Sequence, residues 1–519
     1  MKKFKITPEF FAGKTYPLLM SILILIGYFF KIEAYTATLN MIIVGVAFLT
    51  SPSIKPLMFF ALTFFYQMTV TNSPMNPTKS DHYFTGIRPY LLIGGALVFF
   101  VCGFIYVLRN KFFTKINFFK IPLFVPMLVL SFGFAANGLF TKDYTIGNLL
   151  WALALLVVYV LFFLMLYLGL MDEDPHEIAE YFTYISLLIS WILLLQVAQI
   201  YLEGNLFAGG GVNRGAFTLG FGKTNAVGFV LAMLIPINFY GFMRNKYKYI
   251  PYIHLFTAIA LMGATLTSTS RNAVLVGGIY FAFCFIFIMF AGERKKIARI
   301  FVPASIVAVA LVVLLFFKDE FVSLIMHYVN RSKIDGFTQN DLNSSSAGRI
   351  NIWIRCFEIF KENPIFGAGF YGEPMKFATP MAEIIPHFAH NTLFQLLSGL
   401  GIVGTLCYGY YRICTLKYLF RKPSLDRFMM MVSASMLLAG SLLDNHLFNI
   451  YPGLSYTIAL VIAVLLYEKQ YAPKKADTVD ELECDENENE EIESDSQQRS
   501  EFIENIAEML EESKEIMNS

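Results

Sequence analysis

Apolar and polar residues alternate along this chain in blocks long enough to cross a membrane. A helix needs about 20 apolar residues to span a bilayer core, and runs of that order recur between residues 16 and 467. Fourteen can be marked: about 16–31, 34–50, 55–71, 89–108, 119–140, 147–170, 178–202, 225–243, 249–268, 272–290, 299–317, 390–411, 428–447 and 450–467. The first three are short and could be tilted or partly re-entrant, so the expectation is twelve to fourteen spans. One connection, about 318–389, is far longer than the rest. The expected organisation is helices 1–11 over residues 1–317, a loop over 318–389, helices 12–14 over 390–468 and a tail over 469–519. The expected fold class is an all-α polytopic membrane protein.

Composition agrees. Of 519 residues, 56% are hydrophobic and 15% charged, where a soluble domain carries about 25% charged. Mean hydropathy is +0.56.

Charge orients the spans. Basic clusters fall in alternate connections: Lys2, Lys3 and Lys5; Arg109, Lys111, Lys115 and Lys120; Arg244, Lys246 and Lys248; Arg294, Lys295, Lys296 and Arg299; Arg412, Lys417, Arg421, Lys422 and Arg427. Basic connections stay in the cytoplasm, so both termini are expected inside and the long loop outside. No small-residue cleavage site follows the N-terminal lysines, so the first run reads as a retained span. The tail from Asp477 holds seventeen acidic and two basic residues, leaving net +16 on the rest of the chain. Such a segment is expected to be solvated and largely disordered. Phe502, Ile503, Ile506, Met509, Leu510 and Ile516 repeat at helical spacing and could dock on a partner; a solubilising tail is the favoured reading.

Within the long loop, Ser344-Ser345-Ser346 could cap a helix from Ala347 to about Lys361, with Ile350, Trp353, Ile354, Phe357 and Phe360 on one face. Asn363-Pro364 and Gly367-Ala368-Gly369 then break it.

Candidate chemistry gathers at span ends on the outer side. His390 opens the run that follows the loop, where a helix N-terminus favours a neutral imidazole and a nearby anion. It is the candidate catalytic residue; a solvated interface histidine is the alternative. Arg214, Lys223, Arg271 and Arg349 lie on the outer side against the basic trend. With Asn391 they form the candidate substrate-binding set, since guanidinium forks beside helix starts suit phosphate. Arginines snorkelling to headgroups are the alternative. Thr267-Ser268-Thr269-Ser270 is a capping sequence ahead of Arg271. The triplet Asp172-Glu173-Asp174 has the form of a metal-binding DxD, but it precedes a helix on the opposite side from His390 and is set aside. Six scattered cysteines show no paired spacing, and no GxxxxGK[ST] phosphate loop occurs.

These residues resemble the bacterial O-antigen ligase and Wzy-type polysaccharide polymerase superfamily. Arg214-Gly215-Ala216-Phe217 through Thr224-Asn225-Ala226 is similar to its R-x-x-G … N-x-x-A segment. Leu266 to Ala273 is similar to T-x-S-R-x-A/G, and Arg349 to Trp353 with Asn363 to Gly369 to R … W … NP-x-x-G-x-G. His390-Asn391-Thr392 with Gly401-Ile402-Val403-Gly404 resembles HN-x-x-x-Q … G-x-x-G.

The resemblance implies a GT-C-like membrane glycosyltransferase working without metal or cofactor on the outer face of the bacterial cytoplasmic membrane. The donor would be an undecaprenyl-pyrophosphate-linked glycan and the acceptor a sugar hydroxyl. Arg214 and Arg271 would hold the pyrophosphate, His390 would activate or position the acceptor, and Arg349 would be a weaker contact. Polymerase is the first reading and O-antigen ligase the alternative. A flippase is a second alternative, though it should carry mid-span charge and internal repeats; a membrane acyltransferase is remoter. Partners would be the lipid-linked glycan, the bilayer and a chain-length regulator or other assembly proteins, with no nucleic acid.

Overall fold

The computed structural model describes residues 8–67, 86–115, 117–142, 144–204, 207–208, 211–212, 224–292, 294–316, 319, 322–326, 329, 348–372, 374–375, 389–420, 424–446 and 450–471. The acidic tail lies outside them. A helix occupies each of the fourteen apolar runs. They are α1 (Thr15–Phe30), α2 (Glu33–Thr50), α3 (Lys55–Gln67), α4 (Arg88–Arg109) and α5 (Phe124–Ala135); α6 (Ile146–Leu170), with a π-helical turn inside it, and α7 (Pro175–Leu202). Next come α8 (Thr224–Arg244), α9 (Ile250–Thr267), α10 (Arg271–Phe290) and α11 (Lys295–Phe316). The loop helix α12 (Arg349–Glu362) precedes α13 (Thr392–Phe420), α14 (Leu425–Ser441) and α15 (Ile450–Tyr471). Among the described residues, nine helices are long and apolar enough to cross a membrane. The protein is an all-helical, multi-span membrane protein apart from a two-residue antiparallel pair, β1 (Phe207–Ala208) with β2 (Gly211–Val212).

Burial identifies the central element. The hydrophobic window of α8 is 94% buried, whereas that of α4 is 17% buried and presents its large apolar side chains outward, as a lipid-facing helix does. Helix α8 packs against α7, α9, α10 and α14, so residues at its two ends fix the two ends of the bundle. At one end Arg244 Nε donates to Asp426 Oδ1 (2.6 Å), and His176 Nδ1 lies 2.8 Å from Asp426 Oδ2. Asp174 caps α7 by accepting from His176 N and meets Lys469 Nζ at 2.8 Å, while Glu173 accepts from Ser53 Oγ. Glu173 and Asp174 are thus helix-capping and bundle-tying residues. His390 lies beyond the other end of α14, beside Asp444.

Several boundaries differ from the sequence reading. Helix α14 ends at Ser441, not near residue 447, which frees Leu442–His446 to form a compact turn. Helix α13 continues to Phe420, so Arg412 lies inside it and is buried, not in a basic connection. Arg427 likewise lies within the first turn of α14 and is buried. Two arginines expected in a basic connection are therefore buried within helices. Ser344–Ser346 fall outside the described residues, and the N-cap of α12 is Gly348 at φ +81°. The packed stripe of α12 is Ile352, Cys356 and Ile359, at i, i+4 and i+7; Ile354 and Phe357, expected on one face with Trp353, are exposed. Trp353 stacks on Phe394 (ring centroids 5.4 Å apart) and donates to the Ala389 carbonyl.

Candidate active site

Two glycine-bearing segments build the frame. Gly401 interrupts α13 with φ +63° and ψ −161°, a conformation that L side chains essentially do not adopt. The opened backbone pairs with the segment after α12: Ala368 N donates to Ser398 O (2.7 Å), Gly369 N to Gly399 O (2.9 Å), Ile402 N to Pro364 O (2.8 Å) and Val403 N to Ile365 O (3.1 Å). A Cβ on Gly401 would stand 2.4 Å from the Ile365 carbonyl oxygen, and one on Gly367 2.3 Å from the Gly399 carbonyl carbon. Asn148 Oδ1 accepts from Tyr371 N and ties the same segment to α6. The NP-x-x-G-x-G and G-x-x-G patterns therefore serve one contact, which fixes the end of α12 against the start of α13.

That contact sets His390. The residue lies two positions before α13, in the left-handed region at φ +53°, not in the first helical turn. Non-glycine residues held there cost about 1–2 kcal/mol. Asn391 is the capping residue: its Oδ1 accepts from Leu393 N (2.8 Å) and Phe394 N (3.2 Å), and its Nδ2 donates to Leu442 O (2.6 Å). Asn391 thereby holds the 442–446 turn against the start of α13.

The turn carries what the sequence reading missed. His390 Nδ1 lies 2.9 Å from Asp444 Oδ1, while a third of the His390 side-chain surface stays exposed. Arg349 at the start of α12 donates to Leu443 O (2.7 Å) and places NH2 3.7 Å from Asp444 Oδ2. Asn225 Nδ2 approaches the same oxygen at 3.5 Å. Burial by itself would raise the Asp444 carboxyl, but the hydrogen bond with His390 and the positive charge of Arg349 outweigh it and hold the group well below the usual carboxylate range.

Behind Asp444 sits His446, buried and stacked flat on Phe229 with ring centroids 3.8 Å apart. Asn272 Nδ2 donates to Gly440 O (3.0 Å) and lies 3.1 Å from His446 Nε2. An amide NH2 only donates, so Nε2 accepts and the neutral ring carries its proton on Nδ1. Burial pushes this imidazole down to about 4, against the opposing pull of Asp444. Asn272 Oδ1, Thr392 Oγ1, Ser441 Oγ, Asn445 Oδ1 and His446 Nδ1 are buried without a hydrogen-bond partner among the described residues.

Arg271 is the first residue of α10, next to Asn272, and Ser270 Oγ caps that helix by accepting from Ala273 N. Arg214 and Lys223 lie outside the described residues. The structure therefore brings together His390, Arg349 and Asn391, with Arg271 one residue from the Asn272–His446 contact. One signal could have found the missed pair: Asp444 and His446 fell inside a stretch read as a span, where ionisable residues are functional candidates.

The arrangement can take up a proton. A carboxylate facing Nδ1 favours the tautomer with hydrogen there, leaving the lone pair on Nε2. Residues 255–409 match the family model described as O-antigen ligase. The match takes in the segments around Arg271, Arg349 and His390 and leaves the segment around Arg214 outside. No curated protein matches the chain by sequence.

Proposed function

We propose that this chain, which carries an O-antigen ligase domain over residues 255–409, transfers a lipid-pyrophosphate-linked glycan to an acceptor sugar hydroxyl. The observation that carries the reading is the His390–Asp444 pair, 2.9 Å apart, whose histidine lies within the matched residues. The acceptor oxygen bonds to the anomeric carbon as the bond from that carbon to the pyrophosphate oxygen breaks, its electron pair leaving with the pyrophosphate. The acceptor proton passes to His390 Nε2, and Asp444 stabilises the resulting imidazolium. Arg271 and Arg214 would face the leaving pyrophosphate. Arg349 contributes positive charge but is partly committed to Leu443 and Asp444. The reading draws on no metal or cofactor. Polymerase of a capsule, exopolysaccharide or O-antigen is the first form of the proposal and ligase the second.

Polymer yield at matched membrane level tests it. General-base loss costs about 10²–10⁴-fold, so His390→Ala should abolish detectable product and His390→Gln should not restore it. In the same assay Arg271→Lys should lose about ten- to a hundredfold, because a point charge does not reproduce the guanidinium fork. Wild-type yield from His390→Ala would end the proposal.

The alternating basic connections support placing the His390 end outside a bacterial cytoplasmic membrane, with both termini inside. In a cysteine-free background, an impermeant thiol reagent should label a cysteine at Ser345 but not at Ser424 in intact cells. The reverse pattern would overturn this orientation.

A further inference from the structure

Away from His390, one buried cation has no role in the reading above. Arg412 lies in α13, eight residues before its end at Phe420, or about 12 Å along the axis at 1.5 Å per residue. It is therefore nearer the end of the bundle opposite His390. Three tyrosine rings surround its guanidinium, Tyr408 and Tyr456 at 4.8 Å and Tyr411 at 5.1 Å from the ring centroids. Its NH1 donates to the Tyr456 hydroxyl. Its Nε is buried without a hydrogen-bond partner, and no carboxylate pairs with it among the described residues.

The surroundings are hollow. A cavity of about 140 Å³ adjoins the guanidinium, lined by Arg412, Thr415 and Leu416 of α13, Met431, Ala434, Ser435 and Leu438 of α14, and Tyr456 of α15. Water occupies about 30 Å³ per molecule in the liquid, so the cavity has room for a tetrahedral oxyanion. Met431, Ser435 and Leu438 are half-buried, at i, i+4 and i+7 of α14, and Leu416 on the facing helix is exposed. The cavity is thus a lateral groove between α13 and α14, with its mouth on the apolar outer surface and its floor at Arg412.

A buried charge is costly unless paired. The tyrosine cage offsets part of that cost but supplies no countercharge. A groove that offers one cation and the Tyr456 hydroxyl on otherwise apolar walls suits an amphiphile with an anionic head; the Thr415 and Ser435 hydroxyls already donate to the Tyr411 and Val432 carbonyls. We propose that the Arg412 groove binds the phosphate headgroup of an anionic phospholipid, whose chains lie along Leu416, Met431 and Leu438.

Thermal unfolding of the detergent-purified full chain tests this. Mixed micelles carrying phosphatidylglycerol should stabilise it, while phosphatidylcholine or inorganic phosphate should not. Arg412→Gln should raise the half-saturating phosphatidylglycerol by about tenfold or more, as expected for one lost charge-assisted contact. Because that variant could fail to fold, Met431→Trp provides a second arm: it blocks the mouth at a half-buried position and leaves the arginine and its cage in place. It should unfold like the parent in phosphatidylcholine yet lose the phosphatidylglycerol response. Unchanged phosphatidylglycerol stabilisation in either variant overturns the proposal. So does equal stabilisation by phosphatidylcholine, which would leave a hydrated arginine only, or by inorganic phosphate, which would make the ligand a soluble anion.

Discussion

His390 Nδ1 and Asp444 Oδ1 stand 2.9 Å apart although 54 residues separate them in the chain. The contact joins the segment before α13 to the turn after α14, and the carboxylate is kept ionised by its hydrogen bond with His390 and by Arg349.

If Asp444 sets the tautomer of His390, Asp444→Asn should cost activity out of proportion to stability. An amide at that position can donate to Nδ1 and favour the wrong tautomer. Polymer formation per folded protein should fall by about a hundredfold or more, beyond the loss of stability that follows from giving up the charge beside His390 and Arg349. Activity within a few-fold of the parent would reduce Asp444 to a partner of Arg349.

Acid stability should report His446. Its ordinary value of about 6.5 is depressed to about 4 in the folded protein, so the unfolded chain binds more protons between those values. Stability is then full above pH about 6.5 and falls as pH drops toward about 4, by roughly 3 kcal/mol. Asp444, also depressed, adds a further loss below about pH 4. The unfolding temperature of His446→Gln should fall less steeply than the parent's between pH about 6.5 and 4; a slope equal to the parent's would remove His446 from this role.

Gly401→Ala should be far worse than an ordinary helix substitution. The backbone conformation costs about 1–3 kcal/mol for a non-glycine residue, and the new Cβ has no room beside Ile365. Gly409, in the same helix with open space around it, is the control; Gly409→Ala should be neutral or stabilising by up to about 1 kcal/mol. Unfolding temperatures of the two variants should separate by several degrees, and loss of activity should accompany only the first.

Sequence by itself determined the elements of this protein and much of its candidate chemistry. Span-length apolar runs dictate membrane helices because no water is present in the bilayer core to satisfy a broken backbone. A helix occupies most of the described part of each of the fourteen runs. His390 and Arg271 were legible as polar residues at span ends, Arg349 as a cation in the outer loop, and the glycine motifs as breaks. Two kinds of information were not local. The end of α14 at Ser441 depends on Asp444 and Asn445 finding partners in His390, Arg349 and Gln395, so a pattern that read as membrane to residue 447 became a site. The fate of Arg412 depended on three tyrosines, two on its own helix and one 44 residues away, that make burial of a guanidinium tolerable. Hydropathy scores each residue alone, whereas whether a charge lies in water or in the bundle is decided by the partners that packing brings to it.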